Sequence, residues 1–584
     1  MLNVRLYRIA WIIAVIGILL VLLTLEQPGA VPQPVVPPAM TGVTVASATA
    51  QVAAVAPTRV PGSAGDQEVA SWVQKQFTAI SGSRNPVVSG ASVGEQSFVA
   101  RWRGRLIQGT NVYLSLPGSQ NGPARLPAIV ISAPRDAAPG ADSDASATGM
   151  LIALAQLSAN TTHQRPLIFA SIDASTVGNA GMRWFLPRLK GVTIGAVVNV
   201  DTPDEAVGND VWVWSDGRDN AQAIGLDLMA RTAIARAGGN VAPQPGVNTQ
   251  LLRLAVPQSF GDQAPAIADG VPAVTIAGRP DTPAYGAAQS NPNQLAVVAN
   301  SVLGLAGSLD VATQIPGPGQ AVFVAGRELS AAAVRIVLLL GILPVLAVAV
   351  DAAVRLRRAR IAMRPGVSAV GWRTLPWLVA ALAGIMLARA GLFPGMSAGA
   401  VPLPADAPVL IRSLVALVAV VVVALVISFL SASRVAHLAA IPAADLAAGL
   451  VGLALLLGVA WVARPFLLVL VIPAAHAAVI GLTATRRWQL GALVVVAVFP
   501  VFALCWSVAD QLNRGVLYAA WYLVVTTAQG GRGAIGPLVG VVLVACACSV
   551  VLVADHRLRN VPQIPRPPVW DVLTGFVRNL QAGR

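Results

Sequence analysis

Two blocks of apolar sequence, separated by about 300 residues of ordinary polarity, limit what this chain can fold into. The first is residues 9–25, IAWIIAVIGILLVLLTL. The second extends from 331 to 554 and is broken only by short charged or Pro/Gly-containing stretches. Seventeen consecutive apolar residues just cross a bilayer core, and runs of about 20 cross it with margin. Across the chain 55% of residues are hydrophobic and 11% charged, where a soluble domain has roughly a quarter charged. A purely cytosolic protein and a disordered one are therefore excluded. The block between the apolar runs is long enough to bury a core of its own.

The charge follows the apolar runs. The formal net charge is +14, but between Glu26 and Ser330 there are 18 Lys+Arg against 20 Asp+Glu, a net of −2. The excess flanks the runs, at Arg5 and Arg8, at Arg355, Arg357, Arg358, Arg360 and Arg364, at Arg486 and Arg487, and at Arg557 and Arg559. That is the positive-inside pattern of a membrane protein, not a nucleic-acid patch on a soluble domain. It predicts a signal-anchor helix in 1–26 and an extended Pro/Ala-rich tether in 27–60. An extracytoplasmic domain follows at 61–328, then a multi-span region at 331–554 and a basic cytoplasmic tail at 555–584. A cleaved signal peptide is the alternative for the first segment. Spans fit 331–354, 374–393, 409–430, 445–462, 465–483, 489–509 and 535–554. The run 516–527 is short for a span and fits a re-entrant or interfacial segment. With the N-terminal helix this makes eight spans, or nine if 516–527 crosses. Residues 27–330 would then lie outside the membrane of an integral membrane protein. The Arg-heavy, Ala/Val-rich composition suggests a bacterial plasma membrane. Arg335, Arg389, Arg464, His476 and Asp510 lie near span ends, where anchoring at the interface accounts for them. The sharper expectation is that His476 or Arg464 lines a lipid-headgroup site. All three cysteines, Cys505, Cys546 and Cys548, fall in apolar runs, so the polar block has no disulfide and no thiol nucleophile.

The polar block reads as α/β. Val69, Trp72, Val73, Phe77 and Ile80 share one face of a helix over 67–80. Residues 97–106 and 110–116 alternate like strands, and 146–159 has helical spacing. The short apolar runs 126–132, 167–172, 196–200 and 271–277 read as buried strands. Strands alternating with helices predict a mostly parallel sheet sandwiched by helices, beside an all-α membrane region. Ligand sites in such sheets lie past the carboxyl ends of strands. This directs attention to Pro134–Asp136, Asp173–Thr176, Asp201 and the loop after Ala277.

Several segments then carry a resemblance. PGSAGDQEVASWVQKQF (61–77), SAPRDAAPGADSDASATGMLIALAQL (132–157), PLIFASIDASTVGNAGMRWFL (166–186), VVNVDTPD (197–204) and FGDQAPAIADGVPAVTI (260–276) occur in the order and spacing of the zinc exopeptidases. That family includes leucyl aminopeptidases, glutamate carboxypeptidase and the inactive nicastrin ectodomain. The resemblance implies two zinc ions held by a His from H-x-D, a bridging Asp, a Glu–Glu pair, a strand-end Asp and a final His. Here the first His position is Pro134, with Asp136 kept beside it. The bridging position reads Ser143, between Asp142 and Asp144. The Glu–Glu pair is Ser175-Thr176, the strand-end Asp is Asp201, and the final His falls near Tyr285-Gly286. The polar block has one histidine, His163, which precedes a strand. No Glu lies between Glu95 and Glu205, so no general base of the usual type is present. The expectation is a degenerate pocket with no bound metal, no cofactor and no catalytic residue. Asp136, Asp144 and Asp201 would keep structural roles. Trp102, Trp212 and Trp214 offer either aromatic contact surface or ordinary packing.

The overall plan resembles the attachment subunit of the eukaryotic GPI-anchor transamidase, in which a zinc-less peptidase-like domain and spans hold substrates. The expected role is a non-catalytic scaffold or substrate-binding subunit of a cell-envelope complex. Its partners would be membrane lipid and a protein, glycolipid or peptide. An active metallo-exopeptidase with unconventional ligands and a substrate-capturing transporter are the alternatives.

Overall fold

The computed structural model describes residues 3–26, 40–102, 105–119, 126–137, 145–204, 210–217, 220–257, 259–282, 291–393, 408–439 and 441–528. Bridging Asp142, Ser143 and Asp144, the Tyr285-Gly286 segment, the run 535–554 and the basic tail lie outside them, as does the side chain of Trp102.

Helix α1 (Val4–Leu22) opens with Asn3 accepting from the Leu6 amide. Helices α2 (Gly42–Val55) and α3 (Ala64–Ser81) follow, each capped by a hydroxyl, Thr41 and Ser63, which satisfies an otherwise orphan amide of the first turn. The α3 stripe Val69, Val73, Phe77 and Ile80 is buried as its spacing predicts, with Trp72 packed beside it.

An eight-stranded sheet comes next. In chain order its strands and helices are β1 (Ser92–Trp102), β2 (Arg105–Leu116), β3 (Ala128–Pro134), α4 (Ala145–Ser158), β4 (Leu167–Ile172), α5 (Ala180–Phe185), β5 (Ile194–Asp201), β6 (Asp210–Trp214), α6 (Ile224–Arg236), β7 (Asn240–Val241), α7 (Val247–Ala255), α8 (Gln263–Ala268) and β8 (Ala273–Ala277), closed by α9 (Pro292–Val311). The spatial order is β1-β2-β4-β3-β5-β8-β6-β7. The central four strands are parallel, while β1 with β2, β2 with β4, and β6 with β8 run antiparallel. The sheet is therefore mixed, with its parallel part at the centre where both faces are covered. Helices α3, α4, α6 and α9 cover one face and α5 and α8 the other. The predicted strand 97–106 runs through a hairpin corner, because β1 ends at Trp102 and β2 starts at Arg105.

The predicted tether is corrected in its second half. Residues 42–55 form α2, which stacks over α4 and α9. Val45 and Val52 are fully buried in the main core, each worth about 1.5–3 kcal/mol in transfer. The α/β domain thus begins near Met40, not at residue 61. Residues 27–39 lie outside the description.

A small hairpin, β9 (Val322–Val324) and β10 (Arg327–Leu329), leads to the helical region. This comprises α10 (Ala331–Arg358), α11 (Arg364–Arg389), α12 (Ile411–Leu438), α13 (Pro442–Ala463), α14 (Leu468–Gly481), α15 (Arg487–Leu512) and α16 (Val516–Ala528). Seven described helices are long and apolar enough to cross a membrane. One is α9, which lies in the α/β core through Leu295, Val298, Val302, Leu305 and Leu309. The other six are α1, α10, α11, α12, α13 and α15. Several long apolar helices support a membrane protein. The predicted span 465–483 is a 3-10 turn followed by the 14-residue α14, shorter than a simple crossing. Helix α16 is likewise short, 13 residues.

Helix α1 is built into this bundle. It packs on α10, where Gly17 meets the Leu340 side chain so closely that an added Cβ would lie 2.8 Å from it. His476 bonds the Tyr7 hydroxyl through Nδ1 at 2.9 Å and the Gly341 carbonyl through Nε2 at 2.8 Å. A carbonyl only accepts, so Nε2 carries the proton and Nδ1 accepts from Tyr7. His476 is thus satisfied inside the bundle and does not line an open headgroup site. Arg373 and Asp445, absent from the sequence expectations, form a two-pronged pair at 2.6 and 2.8 Å between α11 and α13.

The two regions meet along α7. Leu254, Ala255 and Leu251 join the core of α1, α10, α13 and α14, while Leu252, Val256 and Phe260 join that of α11, α12, α15 and α16. Gln511 of α15 donates to the Asp281 carbonyl at 3.1 Å.

Candidate functional site

Parallel pairing brings the ends of β3, β4, β5 and β8 side by side. Pro134 ends β3 and pairs with Ile172 of β4, and Asp201 ends β5 opposite Ala277 of β8. Pro134, Asp136, Ser175, Thr176 and Asp201, which lie far apart in sequence, therefore share one rim of the sheet. Backbone geometry there is unusual. Ala174 and Thr202, which follow the ends of β4 and β5, have φ of 54° and 41°. Non-glycine residues in this region carry strain of order 1–3 kcal/mol and cluster at functional loops.

Asp136 is fully buried. Its Oδ1 accepts from the Ser175 amide at 2.7 Å, and its Oδ2 from the Thr176 amide at 2.9 Å and the Thr176 hydroxyl at 2.5 Å. Burial raises its pKa to about 6, against the lowering effect of the Thr176 bonds. The carboxylate thus clamps the turn after β4. Ser175 Oγ donates to Asp262 Oδ2 at 2.6 Å, and Asn179 Nδ2 donates to Asp262 Oδ1 at 2.9 Å and to the Phe260 carbonyl at 2.8 Å. Thr148 Oγ1 caps the Pro134 carbonyl. Across the rim, Arg279 Nε donates to Thr202 Oγ1 at 2.9 Å, and Trp214 Nε1 to the Arg279 carbonyl at 2.9 Å. Trp214 is buried, so it packs the rim and offers no open aromatic surface.

Sequence reading singled out these loops but missed two participants. Asp262 sits in FGDQAP and meets the Ser175 loop only through the fold. Asp66, on α3, pairs with Arg135 Nε at 2.9 Å, and Arg135 Nη2 reaches Asp173 Oδ2 at 3.1 Å. Nothing in the local pattern around Asp66 distinguishes it from an ordinary first-turn carboxylate. His163 bonds Thr161 and the Ser158 carbonyl before β4 starts, at the opposite edge of the sheet from this rim.

The donor set at the described positions does not suit the two zinc ions that the resemblance implies. Proline offers no side-chain donor, two alcohols stand at the carboxylate pair, and Asp136 spends its oxygens on backbone amides. Among the described residues no group of three or more His, Cys, Asp or Glu is placed to hold a metal.

Residues 111–302 match peptidase family M28. The α/β domain has the expected zinc-exopeptidase-like fold. Solved structures similar to it include the aminopeptidase LapA of Legionella pneumophila, at 15% identity over 47% of this chain and 72% of that one, with a TM-score of 0.37. An aminopeptidase from Aneurinibacillus sp. strain AM-1 is 12% identical over 47% of this chain and 95% of that one, with a TM-score of 0.37. A glutaminyl cyclase from an Acidobacteriales bacterium is 17% identical over 47% and 96%, with a TM-score of 0.36. No curated protein matches the chain in sequence.

Proposed function

We propose that this protein is a non-catalytic membrane subunit. Its M28-like domain binds a substrate or holds a partner enzyme for a complex that modifies lipid, glycolipid or protein in the cell envelope. The observation that carries this reading is the closed hydrogen-bond network at the strand ends. Asp136 holds the Ser175 and Thr176 amides, and the Ser175 hydroxyl is given to Asp262. Two-metal hydrolysis needs several N or O ligands per ion and an activated water, and this rim is arranged to stabilise its own turns instead. A serine mechanism needs a base beside the hydroxyl, and His163 stands at the far edge. The seating of α7 and Phe260 in the helical bundle supports a domain that works at the membrane surface. In this reading the domain is extracytoplasmic, the membrane is a bacterial plasma membrane, and the arginines at the end of α10 face the cytoplasm.

The test uses the full-length protein in detergent, because α2 and α7 tie the domain to segments that a shortened fragment would lose. The protein is equilibrated with micromolar zinc, metal per chain is read by plasma emission, and aminoacyl substrates are assayed alongside. No stoichiometric zinc and no turnover is the expected result. Two zinc ions per chain with turnover would overturn the reading and make the protein a peptidase with a different ligand set.

A further inference from the structure

A groove of about 450 Å³ opens between α3 and the β1–β2 hairpin. The hairpin register sets Glu95, Ser97 and Val99 opposite Val112, Thr110 and Gln108 on the face beneath α3. Its walls carry Gln74, Glu95 and Gln108, and its floor is Asp66, Arg135 and Asp173.

The floor is short of positive charge and of one hydrogen-bond donor. A single buried guanidinium serves both Asp66 and Asp173, with side chains 2% and 1% exposed. Glu95 adds a third carboxylate above them. Asp173 Oδ2 is occupied, accepting from the Thr110 amide at 2.7 Å and from Arg135. Asp173 Oδ1 is buried and has no hydrogen-bond partner. Leaving a buried polar atom without a partner is costly, and native structures rarely tolerate it without a ligand or water. The carboxamides on the walls suit a hydrophilic body and not an apolar side chain.

We propose that this groove binds a small hydrophilic ligand through a primary ammonium group, which donates to Asp173 Oδ1 and is paired electrostatically with Glu95. An amino sugar and an ethanolamine-type headgroup offer the same ammonium chemistry. Burial raises the pKa of Asp173 well above the ordinary carboxylate range against the lowering effect of Arg135, and an ammonium beside it favours the ionised form. The proposal does not depend on whether the strand-end rim is catalytic.

The experiment is isothermal titration calorimetry on the full-length protein in detergent at low salt. The probes are glucosamine, ethanolamine, N-acetylglucosamine and choline. Glucosamine is expected to bind and N-acetylglucosamine, which has no ammonium, is not. Choline, a cation without N–H donors, is expected to bind at least about tenfold more weakly, the size of one charge-assisted hydrogen bond. Ethanolamine binding as tightly as glucosamine supports a headgroup ligand, and weaker binding supports an amino sugar. Asp173→Asn is expected to weaken glucosamine about tenfold or more. Should that variant fail to fold, Glu95→Gln on the exposed wall is expected to weaken it several-fold. Equal binding of glucosamine and its N-acetyl form, no binding of glucosamine, or unchanged affinity in the folded variants would overturn the proposal.

Discussion

Asp136 concentrates the chemistry of the rim in one side chain. With a folded pKa of about 6 and an ordinary unfolded value near 3.9, it binds a proton more readily in the folded state. Its contribution is therefore most favourable below about pH 4 and is lost as pH rises through about 6. Two units correspond to ~3 kcal/mol at most. Asp136→Asn removes this dependence. The melting-temperature gap between wild type and variant should shift in the variant's favour from pH 4 to pH 7, and an identical gap at both would contradict the assignment. Arg135 makes the complementary case. Removing it would strand Asp66 and Asp173 as buried charges, and breaking such a pair costs about 3–5 kcal/mol. Urea titration of Arg135→Leu should show a loss of that order.

Among the elements, α2 shows how composition misleads. Residues 42–55 are rich in Val, Ala and Thr and follow a Pro-rich stretch, which reads as tether. They fold as a helix because α4 offers a surface at Gly149, where an added Cβ would lie 2.5 Å from the Thr49 amide nitrogen. Alanine in a helix interior normally gains about 1 kcal/mol over glycine. Here the clash is with backbone and should reverse the sign. Gly149→Ala is expected to lower stability by about 1–3 kcal/mol, measured by thermal melting, and a stabilised variant would show that α2 does not pack as described. The opposite error threatens α9, whose hydropathy matches a span although it lies under the sheet. Hydropathy measures what a segment avoids, water, and does not distinguish lipid from a protein core.

At the scale of the whole molecule, α1 is a working part of the bundle. Tyr7 and His476 are bonded across 469 positions, and the backbones of Glu26 and Glu328 bridge at the edge of the β9–β10 hairpin. Cleaving α1 away would leave His476 Nδ1 without its Tyr7 partner among apolar helices. Intact mass spectrometry of the protein purified from membranes should therefore find α1 attached, and a mature N-terminus after residue 26 would refute this. The same scale explains the tie between rim and membrane. Phe260 packs among α11, α12, α15 and α16, while its carbonyl accepts from Asn179, whose amide also holds Asp262.

The division into apolar and polar blocks, the α/β alternation, and the proline and two alcohols at 134, 175 and 176 were legible in the sequence. These follow from hydropathy, periodicity and side-chain identity, which are properties of neighbouring residues. Only the tertiary structure decided that α2 belongs to the core, that Asp262 receives the Ser175 hydroxyl, and that Asp66 and Asp173 share Arg135. It also decided that His476 is sealed by Tyr7 and that Arg373 pairs with Asp445. Each of those depends on groups brought together by packing from 38 to 469 residues apart. No local pattern records such a meeting, because the energy that selects it is the desolvation and pairing of groups that become neighbours only when the chain closes.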